Sequence, residues 1–269
     1  MHLMSLKTNQ KFHKNLSNCR RIILGVGDST IIDCGIGAMS ALGIKFLNKH
    51  QKPVEWHCSG LLELHSIKNP INNWLKNIEF IVLVDVPNIL AGKNGALVFA
   101  PQKGAIKKDL CIINRALRNF KKVIIKQYKI DLDKIEGSGA AGGIAGGMHA
   151  LLNAKIMSGF DYFSSTMKLK SAINDADLVI TGEGKIDETT FYGKTTGRII
   201  ELCRRYKKPV ILVCGTSLQQ LNYGKYGVKS IYSLTGGTKN KMYGIKNVSD
   251  LLIKIGSQIA QKIYGSSPI

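Results

Sequence analysis

The sequence predicts an α/β fold, and three observations carry that expectation. Short apolar runs end in glycine or an acid, as in ILGVGDS, IVLVDVP and LVITGEG. Glycine-rich loops of small residues lead away from them into amphipathic segments. Toward the C-terminus, strand-like and helix-like stretches alternate, the pattern of parallel strands joined by crossover helices. With 44% hydrophobic residues in 269, the chain can form one large or two medium domains.

Residues 1–19 are polar and without periodicity, and read as a tail. RRIILGVGDST then reads as a short buried strand ending in glycine, and CGIGAMSALGIKFLNKH as a helix with small residues on one face. FIVLVDVPN, residues 80–88, is a continuous apolar run that stops at Asp85 and Pro87, as a buried parallel strand feeding a functional loop does. The crossing AGKNGALVFAPQKGA leads to a helix from about Lys107 to Lys122. EGSGAAGGIAGGMHALLNAKIMSG supplies a loop of very small residues, permitting close backbone approach, and a helix after it. The last region reads as a strand over 178–181, a loop, a helix over 197–206, the strand PVILVCGTS, a helix, the short strand SIYSLTGG and a final helix over about 249–264.

Lys and Arg number 38 against 18 Asp and Glu, a formal charge of +20 that favours polyanions, nucleotides and small acids as ligands. The basic residues are spread from Lys7 to Lys262 rather than gathered in a stripe. No zinc finger, RNP-like aromatic motif or basic region before heptads is present, which argues against nucleic acid as the partner. The six cysteines form no CxxC pair, so spacing points to neither a zinc site nor a disulfide framework, and a reducing cytoplasmic setting is expected. Neither a signal-peptide core nor an apolar run of about 18 residues is found, so no membrane association is expected.

Two familiar glycine patterns fail on context. Gly137 to Gly142 satisfies GxGxxG, but the preceding DLDKIE is no buried strand. Gly193-Lys194-Thr195 lacks the Walker glycine, since Glu188 stands where it is required. What remains is a set of glycine-bearing loops carrying acids and lysines at strand or helix edges, which suggests phosphate handling. Phosphoryl transfer also requires carboxylates to hold Mg²⁺ or orient a hydroxyl, and cations to offset charge. Asp85, at a strand end, suits contact with a hydroxyl or metal, or else caps the turn before Pro87. Glu183 and Asp187, four apart in one loop, suit a shared Mg²⁺, or else cap the following helix. Lys103 and Lys194, each beside a glycine, suit an anion, or else are solvated lysines. Asp28 and Ser29 suit a small acid or a helix cap, Asp33 favours the positive end of the next helix, and His149 reads as packed or exposed.

Taken together, ILGVGDSTIIDCGIGAMSALGIKFL, DVPNILAGKNGALVFAPQKGA, EGSGAAGGIAGGMHALLNAKIMSG and ADLVITGEGKIDETTFYGKTTG resemble the bacterial glycerate kinase family, in order and at compatible spacing from about Arg20 onward. The resemblance implies ATP-dependent phosphorylation of a hydroxyl of D-glycerate by two α/β domains with a ligand cleft between them. These are a middle domain over 20–170 and, over 171–269, the C-terminal portion of a Rossmann-like domain incomplete at its N-terminal half. It implies catalytic roles for Asp85 and Asp187, substrate contacts from Asp28, Ser29 and Lys103, nucleotide contacts from Gly182, Glu183, Gly184 and Lys194, and Mg²⁺ on Glu183 and Asp187.

The chain departs from the family pattern in two places. Ile31 and Ile32 replace polar positions of a Gly-Ser-Ala-Thr-Asn-Asp-Gly-Gly run, which removes local polar contacts. Family members also carry an earlier segment with a first strand and an Asp-Ser-Phe-Lys-Gly loop. Its absence is expected to leave the strand over 178–181 with an open edge or apolar face and to weaken turnover by this chain alone. A separate N-terminal kinase fragment or a second copy of the chain is then the expected partner, and a non-catalytic remnant or the distal half of a split kinase is the alternative reading.

Overall fold

The computed structural model describes residues 19–27, 29–69, 75, 77–191, 194–218, 222–235 and 246–265. They form two compact units that divide between Tyr162 and Phe163, whereas the sequence reading divides the chain after Lys170. Both are mixed α/β.

In the first unit, β1 (Arg21–Gly25), β4 (Glu79–Val84) and β5 (Lys155–Ser158) form a parallel sheet in the order β1-β4-β5. Central β4 is buried along Phe80 to Val84, as its unbroken apolar run requires. β1 is not the buried strand its sequence suggests: among the described residues it lies at the edge, alternates exposed with half-buried residues, and leaves Ile23 exposed. Helix α1 (Ile36–Ala41) is shorter than the sequence reading, because Gly43 turns the chain at positive φ. Residues Lys45–Leu47 then form β2, antiparallel to β3 (Ser66–Lys68), and bury Phe46 and Leu47.

Helix α2 (Lys107–Tyr128) runs beyond the expected Lys122 because the apolar stripe continues through Phe120, Val123 and Ile124, all buried. Asp109 starts it by accepting from Ile106 N–H at 3.0 Å, and Lys129, in the left-handed region, ends it. Phe120, Leu117 and Ile124 join Met39, Leu61, Leu90 and Leu132 in the core. The small-residue loop before α3 (Ile144–Leu152) comes within reach of other backbone: a Cβ on Gly139 would lie 2.1 Å from Ile89 O, and one on Gly142 2.0 Å from Ile31 O. These approaches anchor the strand-end loops of this unit to α3.

Helix α4 (Gly159–Thr166) contains the division, and α5 (Leu169–Asp175) opens the second unit. Its sheet is parallel, with β6 (Val179–Ile186), β7 (Val210–Ser217) and β8 (Val228–Ser233) in that order. Helices α6 (Thr195–Arg205) and α7 (Val248–Tyr264) complete it. Ile211 on β7 packs with Ile255 and Ile259 of α7, supported by Leu178, Val213 and Leu234. β6 extends past Thr181, so Gly182, Glu183 and Gly184 are strand residues rather than a loop. Pairing of Glu183 with Cys214 and of Lys185 with Thr216 keeps them extended. Where a helix is expected between β7 and β8, the described residues contain a 3-10 turn, Tyr223–Tyr226, with 219–221 outside the description. β6 is an edge strand among the described residues, and its Ile180 is 53% exposed. No helix among the described residues is long and apolar enough to cross a membrane.

Candidate active site

In the second unit, the carboxyl end of β6 delivers two acids to one side-chain oxygen. Glu183 sits on the strand, Asp187 directly follows it, and the 3-10 turn Glu188–Phe191 brings Thr190 back between them. Thr190 Oγ1 donates to Glu183 Oε1 at 2.5 Å and accepts from Asp187 N–H at 3.2 Å. The side chain of Asp187 closes the turn by accepting from Thr189 N–H at 3.0 Å and Thr189 Oγ1 at 2.5 Å. Its other oxygen meets Lys185 Nζ at 2.8 Å, and Lys194 Nζ stands 3.9 Å from Oδ1. Lys185 first, then Thr189, holds the Asp187 carboxyl well below the usual carboxylate range.

Helix α6 begins beside these acids, with Lys194 at its N-cap. Buried Thr196 donates to Gly182 O at 3.3 Å, and a Cβ on Gly197 would lie 2.0 Å from Thr190 O, so the helix start is seated directly on the turn. The unpaired N–H groups of a first helical turn favour negative charge, and Lys194 adds a full positive charge there. Sequence reasoning named Glu183, Asp187 and Lys194 and missed Thr190 and Lys185, the groups that orient the acids. Gly182 has a packing reason to lack a side chain, since its Cβ would fall 1.8 Å from Val213 O. Gly184 has none, because a Cβ there meets nothing within 4 Å.

Glu183 Oε2 has no partner among the described residues, whereas both oxygens of Asp187 are engaged. No group of three or more His, Cys, Asp or Glu suited to a metal occurs among the described residues. This donor set does not make an all-protein metal cage. It fits Mg²⁺ in the manner that ion favours, one or two carboxylates with the remaining ligands from water and phosphate.

In the first unit, Ser29 and Lys103 come together. Lys103, at the end of a 3-10 turn and followed by Gly104 at positive φ, donates to Ser29 Oγ at 2.6 Å and to Ile31 O at 3.1 Å. An ammonium has three donors, so one remains for a ligand. Burial lowers the pKa of Lys103, and the charge of Asp33 opposes that shift. Asp33 is 9% exposed and accepts from Gly35 N–H at 2.8 Å just ahead of α1. Burial raises its pKa, with the Gly35 bond and Lys103 acting against the rise. Asp85 lies past the end of β4, exposed and without a hydrogen bond or ion pair among the described residues. Asp28 lies outside the described residues. His149 is packed, its Nδ1 2.9 Å from Ala154 O.

The model of the glycerate kinase family matches residues 13–264. The chain belongs to the glycerate kinase family. A glycerate kinase of Halalkalibacterium halodurans is 33% identical over 217 residues, which are 80% of this chain and 57% of that protein. A glycerate 2-kinase of Escherichia coli is 32% identical over 221 residues, 81% of this chain and 58% of that protein. The chain thus spans less than two thirds of the length of these glycerate kinases. The crystal structure of a protein provisionally assigned as glycerate kinase 2 from Salmonella typhimurium LT2 superposes with a TM-score of 0.69 at 30% identity, covering 94% of this chain and 69% of that one. The α/β fold of the described residues is therefore that of the glycerate kinase family.

Proposed function

We propose that the chain carries the phosphoryl-transfer centre of a glycerate kinase, acting on ATP and D-glycerate. The observation that carries this reading is the pair Glu183 and Asp187, fixed by Thr190 between Lys185, Lys194 and the start of α6. Phosphoryl transfer asks a protein chiefly for positioned charge, and this cluster supplies both signs on rigid elements. A hydroxyl oxygen of D-glycerate forms a bond to the γ-phosphorus, the bond to the β,γ-bridging oxygen breaks, and ADP leaves with that electron pair. The hydroxyl proton passes to a carboxylate, for which the strand-end Asp85 is the candidate. Lys194 and the first N–H groups of α6 receive the nucleotide phosphates, and Lys185 offsets charge beside them.

Mg²⁺ bound with the nucleotide supplies neutralisation of phosphate charge. Glu183 would hold it through its open oxygen, together with Asp187 once Lys185 turns to phosphate. Ser29 and Lys103, with Asp28, would take the carboxylate of glycerate, for which the remaining N–H of Lys103 is suited. This assignment draws on groups from both units, and a division near residue 170 serves it as well as the observed one. The open edge of β6 and its exposed Ile180 offer a place for one more strand, from the same polypeptide or from a separate N-terminal fragment. Free cysteines at Cys34, Cys58, Cys203 and Cys214 support a reducing cytoplasmic setting. The named relatives favour a kinase over a binding-only remnant. The test is D-glycerate-dependent release of ADP from Mg-ATP: its absence under every condition of assembly would sink the proposal.

A further inference from the structure

In the first unit, the ammonium of Lys103 has an apolar neighbour. Lys103 Nζ donates to Ser29 Oγ at 2.6 Å and to Ile31 O at 3.1 Å, and among the described residues its third N–H is left for a ligand. A residue's own Cβ lies about 3 Å from its carbonyl oxygen, so the Ile31 side chain begins no more than about 6 Å from that ammonium. The two neighbouring isoleucines differ in burial: Ile32 is 9% exposed and joins the core, whereas Ile31 is 40% exposed. Close packing against Gly142 fixes the backbone here. A Cβ on Gly142 would lie 2.0 Å from Ile31 O and 2.6 Å from Ile32 Cα, and Cys34 N–H donates to Gly142 O at 3.1 Å. The carbonyl that holds Lys103 is thus seated on the small-residue loop before α3, and an aliphatic surface stands at short, fixed range from an anion-binding group.

An acid bound by Lys103 meets that surface beside its carboxylate. In an acid of three or four carbons the far end lies within about 4 Å of the carboxylate carbon, inside the reach of Ile31. A hydroxyl placed there gives up hydrogen bonds to water without a partner, while a methyl group gains by leaving water. We propose that the acceptor site takes short 2-hydroxy acids with an alkyl end, of which D-2-hydroxybutyrate is the simplest, alongside D-glycerate, and that Ile31 sets this preference. The chemistry rests on the kinase reading. The C2 hydroxyl oxygen bonds to the γ-phosphorus of ATP, the bond to the β,γ-bridging oxygen breaks, ADP leaves with that electron pair, and the hydroxyl proton passes to a carboxylate as with D-glycerate.

Calorimetric titration of the chain with D-2-hydroxybutyrate and D-glycerate tests this, and D-2-hydroxybutyrate binds at least as tightly. A methylene in an enclosed apolar pocket is worth about 10- to 200-fold, and Ile31 covers one side only. Ile31→Thr keeps the β-branch and adds a hydroxyl, so it weakens D-2-hydroxybutyrate about fivefold and leaves D-glycerate within about twofold. Lys103→Gln weakens both acids by the same factor, about tenfold or more. Ile23→Thr, at a position on β1 that is 44% exposed, changes neither. Both isoleucines are exposed, so these variants fold. D-glycerate binding more than about twofold tighter than D-2-hydroxybutyrate, an equal effect of Ile31→Thr on the two acids, or no binding of either would overturn the proposal. Phosphorylation of D-glycerate but not of D-2-hydroxybutyrate sinks the substrate assignment and leaves the kinase reading. Binding of D-2-hydroxybutyrate that Ile31→Thr selectively weakens, with neither acid phosphorylated, keeps the acid site and sinks the kinase reading.

Discussion

Thr190→Val removes one oxygen from the centre of the proposed site and little else. Thr190 is wholly buried, and its hydroxyl serves Glu183 and the N–H of Asp187 together. Valine keeps the volume and shape but makes neither bond. A hydrogen bond to a charged group contributes about 1.5–3 kcal/mol and a neutral one about 0.5–1.5 kcal/mol. Glu183 is only half buried and regains some hydration, so the expected loss lies near the low end of the sum, about 2 kcal/mol. For a unit of roughly 100 residues that lowers the melting temperature by roughly 6–12 °C. The acids also lose their fixed separation, which is expected to reduce kcat by about 10²-fold while KM for D-glycerate changes little. Thermal and urea unfolding, with steady-state ADP release, measure both effects. Thr190→Ser restores the oxygen and sacrifices only a methyl, so it recovers most of the rate while remaining about 1 kcal/mol less stable. Unfolding of Thr190→Val within about 0.5 kcal/mol of the parent chain, or equal rates for the Ser and Val variants, would refute the reasoning.

The two glycines of the GEG run are expected to behave oppositely on substitution. Gly182→Ala drives a methyl against the Val213 carbonyl and should lose about 3 kcal/mol or more, visible as insoluble expression; Gly184→Ala enters open space and should fold with an unchanged melting temperature. Asp33→Asn is expected to stabilise the first unit at neutral pH. The folded pKa of Asp33 is raised, so its contribution is fully present below the unfolded carboxylate value, about 4, and is lost as pH rises through the folded value. Urea unfolding across pH 4 to 8 checks this: the variant should gain on the parent chain as pH rises, and a variant uniformly less stable would contradict the sign.

Much of the fold is legible because β4, β6 and β7 are apolar runs that end in glycine or an acid. The sequence misplaces the end of β6, since Gly182-Glu183-Gly184 has the composition of a turn and only pairing with β7 reveals it as strand. It omits β5 because Lys155-Ile156-Met157-Ser158 is extended chiefly by pairing with β4. It carries α1 too far because Phe46 and Leu47 suit a helix as well as a strand, and the turn at Gly43 decides between them. At the site, the acids Glu183 and Asp187 stand out beside glycines that leave them little packing role. Thr190 does not, since a threonine in ETTF resembles any polar loop residue until a 3-10 turn aims it inward. Ser29 and Lys103 are far apart in sequence, and their contact depends on the small-residue loop that seats Ile31 against Gly142. Asp33 reads as a helix-end acid, which it is, but the burial that raises its pKa comes from the tertiary fold.

The central claim is that this chain supplies the groups that move a phosphoryl group from ATP to D-glycerate. Its most direct test is mass-spectrometric detection of phosphoglycerate after incubation with D-glycerate and Mg-ATP. The chain is assayed alone and together with the N-terminal segment of a full-length relative, each with an Asp187→Asn counterpart. The expected result is weak turnover by the chain alone, strong D-glycerate-dependent turnover with the added segment, and a loss of about 10²- to 10³-fold in the Asp187→Asn sample. Rapid turnover by the chain alone would remove the role given to the added segment. No phosphoglycerate in either preparation, or equal product from the parent chain and Asp187→Asn, would contradict the account.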